Sequence, residues 1–234
     1  PDIVKPGTMP DWAPNGITMV YAKPQNGAVG AVPNTVSASL ETLDWNGTAW
    51  GSPKTLVPFN GPNNYYPTYS PTGDWVLFVR SPGNHDSFSN VNPNPDTGQQ
   101  PDGELWVVSS NGGQAFRLST ASDPGPLSWP KWAPVRNDYH GGQILWATFS
   151  SPRAYGLRLA NGDKHQIWMI GFDLQKAAAG QDPSLPAFWF PYQSLASGNH
   201  IAQWATEVKR LPCTSDGECA VGESCNSGTC RPIP

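Results

Sequence analysis

Apolar and polar positions along this chain follow short bursts rather than the three-and-four spacing of an amphipathic helix. Ile17-Thr18-Met19-Val20-Tyr21-Ala22, Trp75-Val76-Leu77-Phe78-Val79 and Gln143-Ile144-Leu145-Trp146-Ala147-Thr148-Phe149 are runs of β-branched and aromatic residues. Such runs predict strands buried on both faces. Further strands are predicted at Ser37–Leu43, Glu104–Ser109 and Gln166–Asp173. Another pair follows glycine turns: Trp50–Val57 after Asn46-Gly47, and Gln114–Leu118 after Gly112-Gly113. Leu174–Gly180, rich in alanine, is the one segment that predicts a short surface helix.

The long runs are preceded by a recurring phrase. Met9-Pro10-Asp11-Trp12-Ala13-Pro14-Asn15-Gly16, Tyr66-Pro67-Thr68-Tyr69-Ser70-Pro71-Thr72-Gly73 and Trp129-Pro130-Lys131-Trp132-Ala133-Pro134 share an aromatic, a small residue and a proline. A fainter copy is Pro186-Ala187-Phe188-Trp189-Phe190-Pro191, followed by His200–Thr206. The anchors Trp12, Tyr69, Trp132 and Trp189 lie 57, 63 and 57 residues apart. An aromatic ahead of a small residue and proline supplies a large buried plug at a turn, and the glycines supply the positive φ that a tight turn needs. Units of this length holding three or four antiparallel strands predict propeller blades. The expected architecture is all-β: units starting near 9, 66, 129 and 186 within residues 1–207, and a small C-terminal module over 208–234. A β-sandwich with coincidental repeats is the competing reading.

Composition supports turns over helices. Glycine (24) and proline (26) together make about a fifth of the 234 residues, and charged residues only 14%. The net charge is −4 and no basic run exceeds Lys209-Arg210, so the lysine and arginine stripe that nucleic-acid binding needs is missing. No apolar stretch approaches the roughly 20 residues of a membrane helix. The chain opens on Pro1 with no visible signal peptide, which we read as a processed or trimmed chain.

All four cysteines, Cys213, Cys219, Cys225 and Cys230, fall in the last 22 residues. A polar segment this short stays ordered when covalent links restrict its unfolded state. Zinc is the alternative, but its ligands come as close pairs, whereas the gaps here are five, five and four residues. Spacing does not choose among the three pairings; we expect the interleaved Cys213–Cys225 and Cys219–Cys230. Two disulfides imply an oxidising compartment: periplasm, outer surface or secretion. The segment resembles small secreted modules of bacterial surface proteins, with Asp216, Gly222 and Gly228 at the positions that pattern expects.

The repeat itself resembles the TolB-like β-propeller family (PD40, or WD40-like, repeats). The clearest match is Tyr66–Arg80 together with Glu104–Thr120, whose ELWVVSSNGGQAFRLST follows the family pattern of L-W-V-V, a glycine turn and R-L-T. The resemblance extends over about residues 9–207 and weakens toward the end. The aspartate of the family phrase is Asn15 in the first unit and Thr72 in the second, and is lost in the third. Family members usually carry six or more blades, and counting four, four, four and two strands leaves this ring open. Because an open ring would expose unpaired strand edges, we expect a protein partner, an upstream portion of chain or a neighbouring copy to complete it.

Candidate chemistry is sparse. The G-x-S-x-G elbow of the hydrolases that carry similar propellers does not occur. His85, His140, His165 and His200 are scattered without metal-ligand spacing. The long insertion Ser81–Asp102 presents Asp86, Asp96 and Asp102 as hard oxygen ligands suited to calcium, against the reading of a plain solvated loop. Trp45, Trp50 and Trp129 are candidates for stacking on a sugar, with core packing as the competing role. The resulting expectation is a non-catalytic, extracytoplasmic interaction or assembly scaffold without a required cofactor. The alternatives are a regulatory propeller of a secreted hydrolase or lyase, and a carbohydrate-binding or envelope-assembly component.

Overall fold

The computed structural model describes residues 7–25, 37–82, 103–123, 125–156, 164–205 and 212–232. It divides into two compact units, Pro1–Trp204 and Ala205–Pro234.

In the first unit the described residues form three four-stranded antiparallel sheets, each in chain order. Sheet 1 contains β1 (Thr8–Trp12), β2 (Thr18–Pro24), β3 (Ala38–Asp44) and β4 (Lys54–Val57). Sheet 2 contains β5 (Asn63–Tyr69), β6 (Trp75–Ser81), β7 (Glu104–Ser109) and β8 (Phe116–Arg117). Sheet 3 contains β9 (Ser128–Tyr139), β10 (Gly142–Ser151), β11 (Gln166–Asp173) and β12 (Phe188–Trp189). Two short helices interrupt the strands: α1 (Ser119–Ser122), after β8, and α2 (Leu174–Ala178). The Asp173 carboxylate starts α2 by accepting from the Gln175 and Lys176 amides.

Local chemistry fixes the turns. Asn15 Oδ1 accepts from the Ile17 and Thr18 amides, each at 3.0 Å, while Gly16 takes φ +72°. In sheet 2 the Ser70 hydroxyl accepts from the Trp75 amide at 3.2 Å, and Gly73 takes φ +78°. An acidic cap is therefore dispensable here, because an amide or a hydroxyl oxygen does the same work.

The sheets stack face to face. One face of sheet 1, through Val20, Ala22 and Leu40, packs on Tyr69, Val76, Phe78 and Val108 of sheet 2. The other face of sheet 2, through Leu77, Val79 and Val107, packs on Leu145, Ala147, Phe149 and Phe172 of sheet 3. Alternation along a strand sends successive side chains to opposite faces, so the run in β6 must be apolar throughout to fill two interfaces. In β2 one face meets sheet 2, whereas Met19 and Tyr21 on the other pack with Leu43 of the same sheet and with Trp50. The second unit is a disulfide-stapled hairpin, β13 (Glu223–Asn226) and β14 (Thr229–Pro232), beside a 3-10 turn at Asp216–Glu218.

Two expectations need correction. Phe188-Trp189 does not open a fourth unit; it forms the outermost strand of sheet 3, with Trp189 paired to Trp168. Its Phe-Trp-Phe-Pro wording mimics the repeat phrase, but an edge strand in a half-buried setting favours the same residue types. Nor would an open ring be what exposes strand edges: each described sheet pairs its strands in chain order, so its first and fourth strands are edges in any case, and an open ring would bare a sheet face in addition.

Candidate functional site: the first strands and the interfaces they set

The first strand of each sheet carries the same irregularity. Met9, Tyr66 and Trp129, each followed by proline, adopt φ of 54°, 51° and 53°. A register shift lies across or beside each of them. Left-handed backbone at a bulky residue is strained, and its recurrence shows that the fold enforces it. Ile201 adopts the same φ, 53°, and Trp204 follows it by three residues, as Trp12, Tyr69 and Trp132 follow Met9, Tyr66 and Trp129. The fourth copy of the phrase is therefore Ile201-Ala202-Gln203-Trp204, which lacks the prolines that make the other three visible.

These four left-handed residues meet. Met9, Tyr66, Trp129 and Ile201 surround one small cavity of about 140 Å³ together with Pro10, Pro67, Pro130 and Lys131. Within it the rings of Tyr66 and Trp129 stack at 3.9 Å. Asp11 ties the strands together: its carboxylate accepts from the Tyr69 amide at 2.8 Å and the Thr68 hydroxyl at 3.0 Å, and stands 3.6 Å from the Lys131 ammonium. On the other side, the aromatic-small-proline segments of all three sheets line an open groove of about 400 Å³ that includes Trp12, Pro14, Pro71, Trp132 and Pro134.

Each anchor aromatic belongs to the interface with the preceding sheet. Tyr69 is 6% exposed against sheet 1. Trp132 is 7% exposed, and its indole N–H donates to the Thr68 carbonyl of sheet 2 at 3.1 Å. The Trp204 indole donates to the Thr148 hydroxyl of sheet 3 at 3.3 Å. Trp12 occupies the same place on sheet 1, which has no preceding sheet among the described residues, and it is 51% exposed. It leans on Trp50 at 5.6 Å, and Trp50 on Trp45 at 5.3 Å. Trp12 is thus a plug without a socket. This outer face of sheet 1 also carries a buried polar chain, in which Glu41 accepts from the Tyr21 hydroxyl and the Lys23 ammonium, both at 2.8 Å. Burial, followed by the Glu41 hydrogen bond and charge, pushes the Tyr21 hydroxyl well above its ordinary value.

The remaining sequence-predicted residues are dispersed. Asp86, Asp96, Asp102 and His85 lie outside the described residues. His140 sits exposed in the β9–β10 turn against Tyr139, while His165 and His200 pack ring to ring at 4.5 Å on sheet 3. One face of Trp129 is taken by Tyr66, and Trp189 stacks on Tyr155 at 5.4 Å. The cysteines are joined Cys213–Cys225 and Cys219–Cys230, so their close-lying sulfurs are not free to hold zinc. Disulfides mark an oxidising environment, and no helix among the described residues is long and apolar enough to cross a membrane.

No protein-family profile matches the sequence, and no curated protein does either. Among solved structures, TolB from Agrobacterium tumefaciens is similar, with 16% identity and a TM-score of 0.43 over 85% of this chain and 54% of that one. Hydrazine synthase from Kuenenia stuttgartiensis is similar at 15% identity and a TM-score of 0.39, over 75% of this chain and 42% of that one. The chain thus spans about half the length of these structures or less. It is a mostly β protein of blade-like antiparallel sheets with a structural likeness to TolB and a disulfide-bonded C-terminal hairpin.

Proposed function

We propose that this chain is a non-catalytic β-propeller scaffold working outside the cytoplasm, in the periplasm, at the outer surface or in secretion. The exposed Trp12 end of the outer face of sheet 1 takes a further sheet, supplied by a neighbouring copy or by an upstream portion of a longer chain. The observation that carries this reading is the exposure of Trp12 at 51%, set against 6% and 7% for its counterparts Tyr69 and Trp132. Exposed large apolar groups in a contiguous patch mark interaction surfaces, and Trp12 is joined there by Trp50, Trp45 and the half-exposed Ile17. Repeat architectures bury a continuous core only by stacking neighbours, which gives the first sheet a physical need for a partner.

The test uses the absence of any other free thiol among the four cysteines. Trp12→Cys in the protein isolated from its own host should resist maleimide labelling under native conditions and should react once the 234-residue chain is isolated and diluted. Equal labelling in both preparations overturns the reading. Light scattering on the isolated chain identifies a neighbouring copy as the partner if the mass is a multiple that Trp12→Asp reduces to a monomer.

A further inference from the structure

The two internal sheet interfaces are built on one plan but filled differently at the turn-bearing rim. Thr18 pairs with Asp44 in sheet 1 as Trp75 pairs with Ser109 in sheet 2 and Trp146 with Gly171 in sheet 3. Thr42 pairs with Lys54 as Val107 pairs with Phe116. Thr18, Lys54 and Ser110 at the first interface therefore correspond to Trp75, Phe116 and Phe172 at the second. Those three aromatics close the second interface, with ring centroids 6.0 Å (Trp75–Phe116) and 5.8 Å (Trp75–Phe172) apart. At the first interface a threonine, a lysine and a serine leave an open cleft of about 380 Å³, within the ordinary range for small-ligand sites.

Four of the cleft's polar groups are hydrogen-bonded to one another. Asn15 donates to the Thr18 hydroxyl at 3.0 Å, Thr18 donates to Asp44 Oδ1 at 2.9 Å, and Lys54 donates to Asp44 Oδ2 at 2.8 Å. The Lys54 and Thr18 hydrogen bonds hold the Asp44 carboxyl below its usual range. Burial first, then the charges of Asp44 and Asp11, pushes the Tyr69 hydroxyl up to about 12, so it remains a donor. The carboxylate and ammonium cancel, which leaves no net charge to select an ion. Hydroxyls and amides of Thr42, Thr55, Ser110 and Asn111 both donate and accept, while Ala13 and Leu56 form apolar wall.

We infer that this cleft between sheets 1 and 2 binds a neutral, hydroxyl-rich ligand, a mono- or disaccharide unit, with Asp44 accepting from one sugar hydroxyl and Asn111 and Tyr69 meeting its neighbours. A vicinal diol needs an acceptor and a donor side by side, and a sugar's C–H face needs the apolar wall. Both are present. The inference does not rest on the scaffold reading, because the cleft lies wholly within the first unit and away from the outer face carrying Trp12.

The test is isothermal titration of the whole chain with maltose, cellobiose and chitobiose, with pull-down on amylose, cellulose and chitin to separate free sugar from polymer as the source. At least one should bind with Kd of about a millimolar or tighter, and Asp44→Asn should weaken that binding about tenfold. A graft of the neighbouring interface, Thr18→Trp with Lys54→Phe and Ser110→Phe, should abolish binding while circular dichroism stays that of the parent. No binding of any of these sugars or polymers at concentrations up to about 20 mM in sugar units, or undiminished binding in a folded Asp44→Asn variant, overturns the inference.

Discussion

Truncating the anchor aromatics one at a time separates a repeat that builds interfaces from one that merely recurs. Trp132→Ala removes a ring that is 7% exposed, packs edge-on against Phe172 at 5.2 Å and donates to the Thr68 carbonyl at 3.1 Å. Losing a buried tryptophan side chain costs about 3–5 kcal/mol through lost transfer and the cavity left behind, and the stranded carbonyl adds about 1 kcal/mol unless water reaches it. Trp12→Ala removes the equivalent residue at 51% exposure, so about half of the transfer term is already forfeited and no cavity forms. We expect a cost of about 1 kcal/mol there. For a unit of this size the larger loss lowers Tm by about 6–20 °C and the smaller by about 2–4 °C. Urea denaturation of the isolated chain, followed by far-UV circular dichroism, measures both. Equal costs for the two substitutions would refute the assignment of Trp12 to an unfilled interface, as would a Trp132→Ala cost below about 1 kcal/mol.

Other consequences follow from charge and covalent structure. Asp182 accepts from the Thr120 amide and hydroxyl and from the Ser184 amide and hydroxyl, and though burial opposes it, these bonds hold its carboxyl below the ordinary value. A depressed carboxyl stabilises fully above its unfolded pKa of about 4 and loses that contribution as pH falls through the lower folded value. Asp182→Ala should therefore cost on the order of 2 kcal/mol at neutral pH, and the gap from the parent should narrow on acidification below about pH 4; a gap that widens there contradicts it. Reduction should unfold the C-terminal hairpin, whose two cross-links span 12 and 11 residues, while the sheets retain their dichroism. Proteolysis with and without reductant reads this as selective loss of residues beyond about 205, and loss of the sheets on reduction would contradict it.

The strands were legible because their physics is local. Trp75–Val79 is apolar enough to be recognised as doubly buried and lies within β6, and the strand expected at Gln166–Asp173 is β11. Ser37–Leu43 differs from β3 by one residue at each end, and the alanine-rich helix differs only at its C-terminal end. Trp189 was misread because a phrase of aromatics and proline suits an edge strand as well as an anchor. Trp204 was missed because its copy keeps the backbone geometry while losing the proline, and a left-handed φ at isoleucine leaves no trace in composition. The inter-sheet cleft was invisible for a related reason: Thr18, Lys54 and Ser110 stand 36 and 56 residues apart in sequence and gain meaning only beside Trp75, Phe116 and Phe172.

What this sequence determined by itself is the inventory of strands, turns and cross-linkable cysteines, since each depends on neighbours within a few residues: two-residue alternation, a glycine's or asparagine's turn preference, a short polar segment that needs bridging. Tertiary structure decided which aromatic fills which interface, where Trp12 is left bare and where a polar cleft opens. Those outcomes depend on which faces meet when sheets stack, and stacking pairs residues whose separation along the chain carries no local energetic signature.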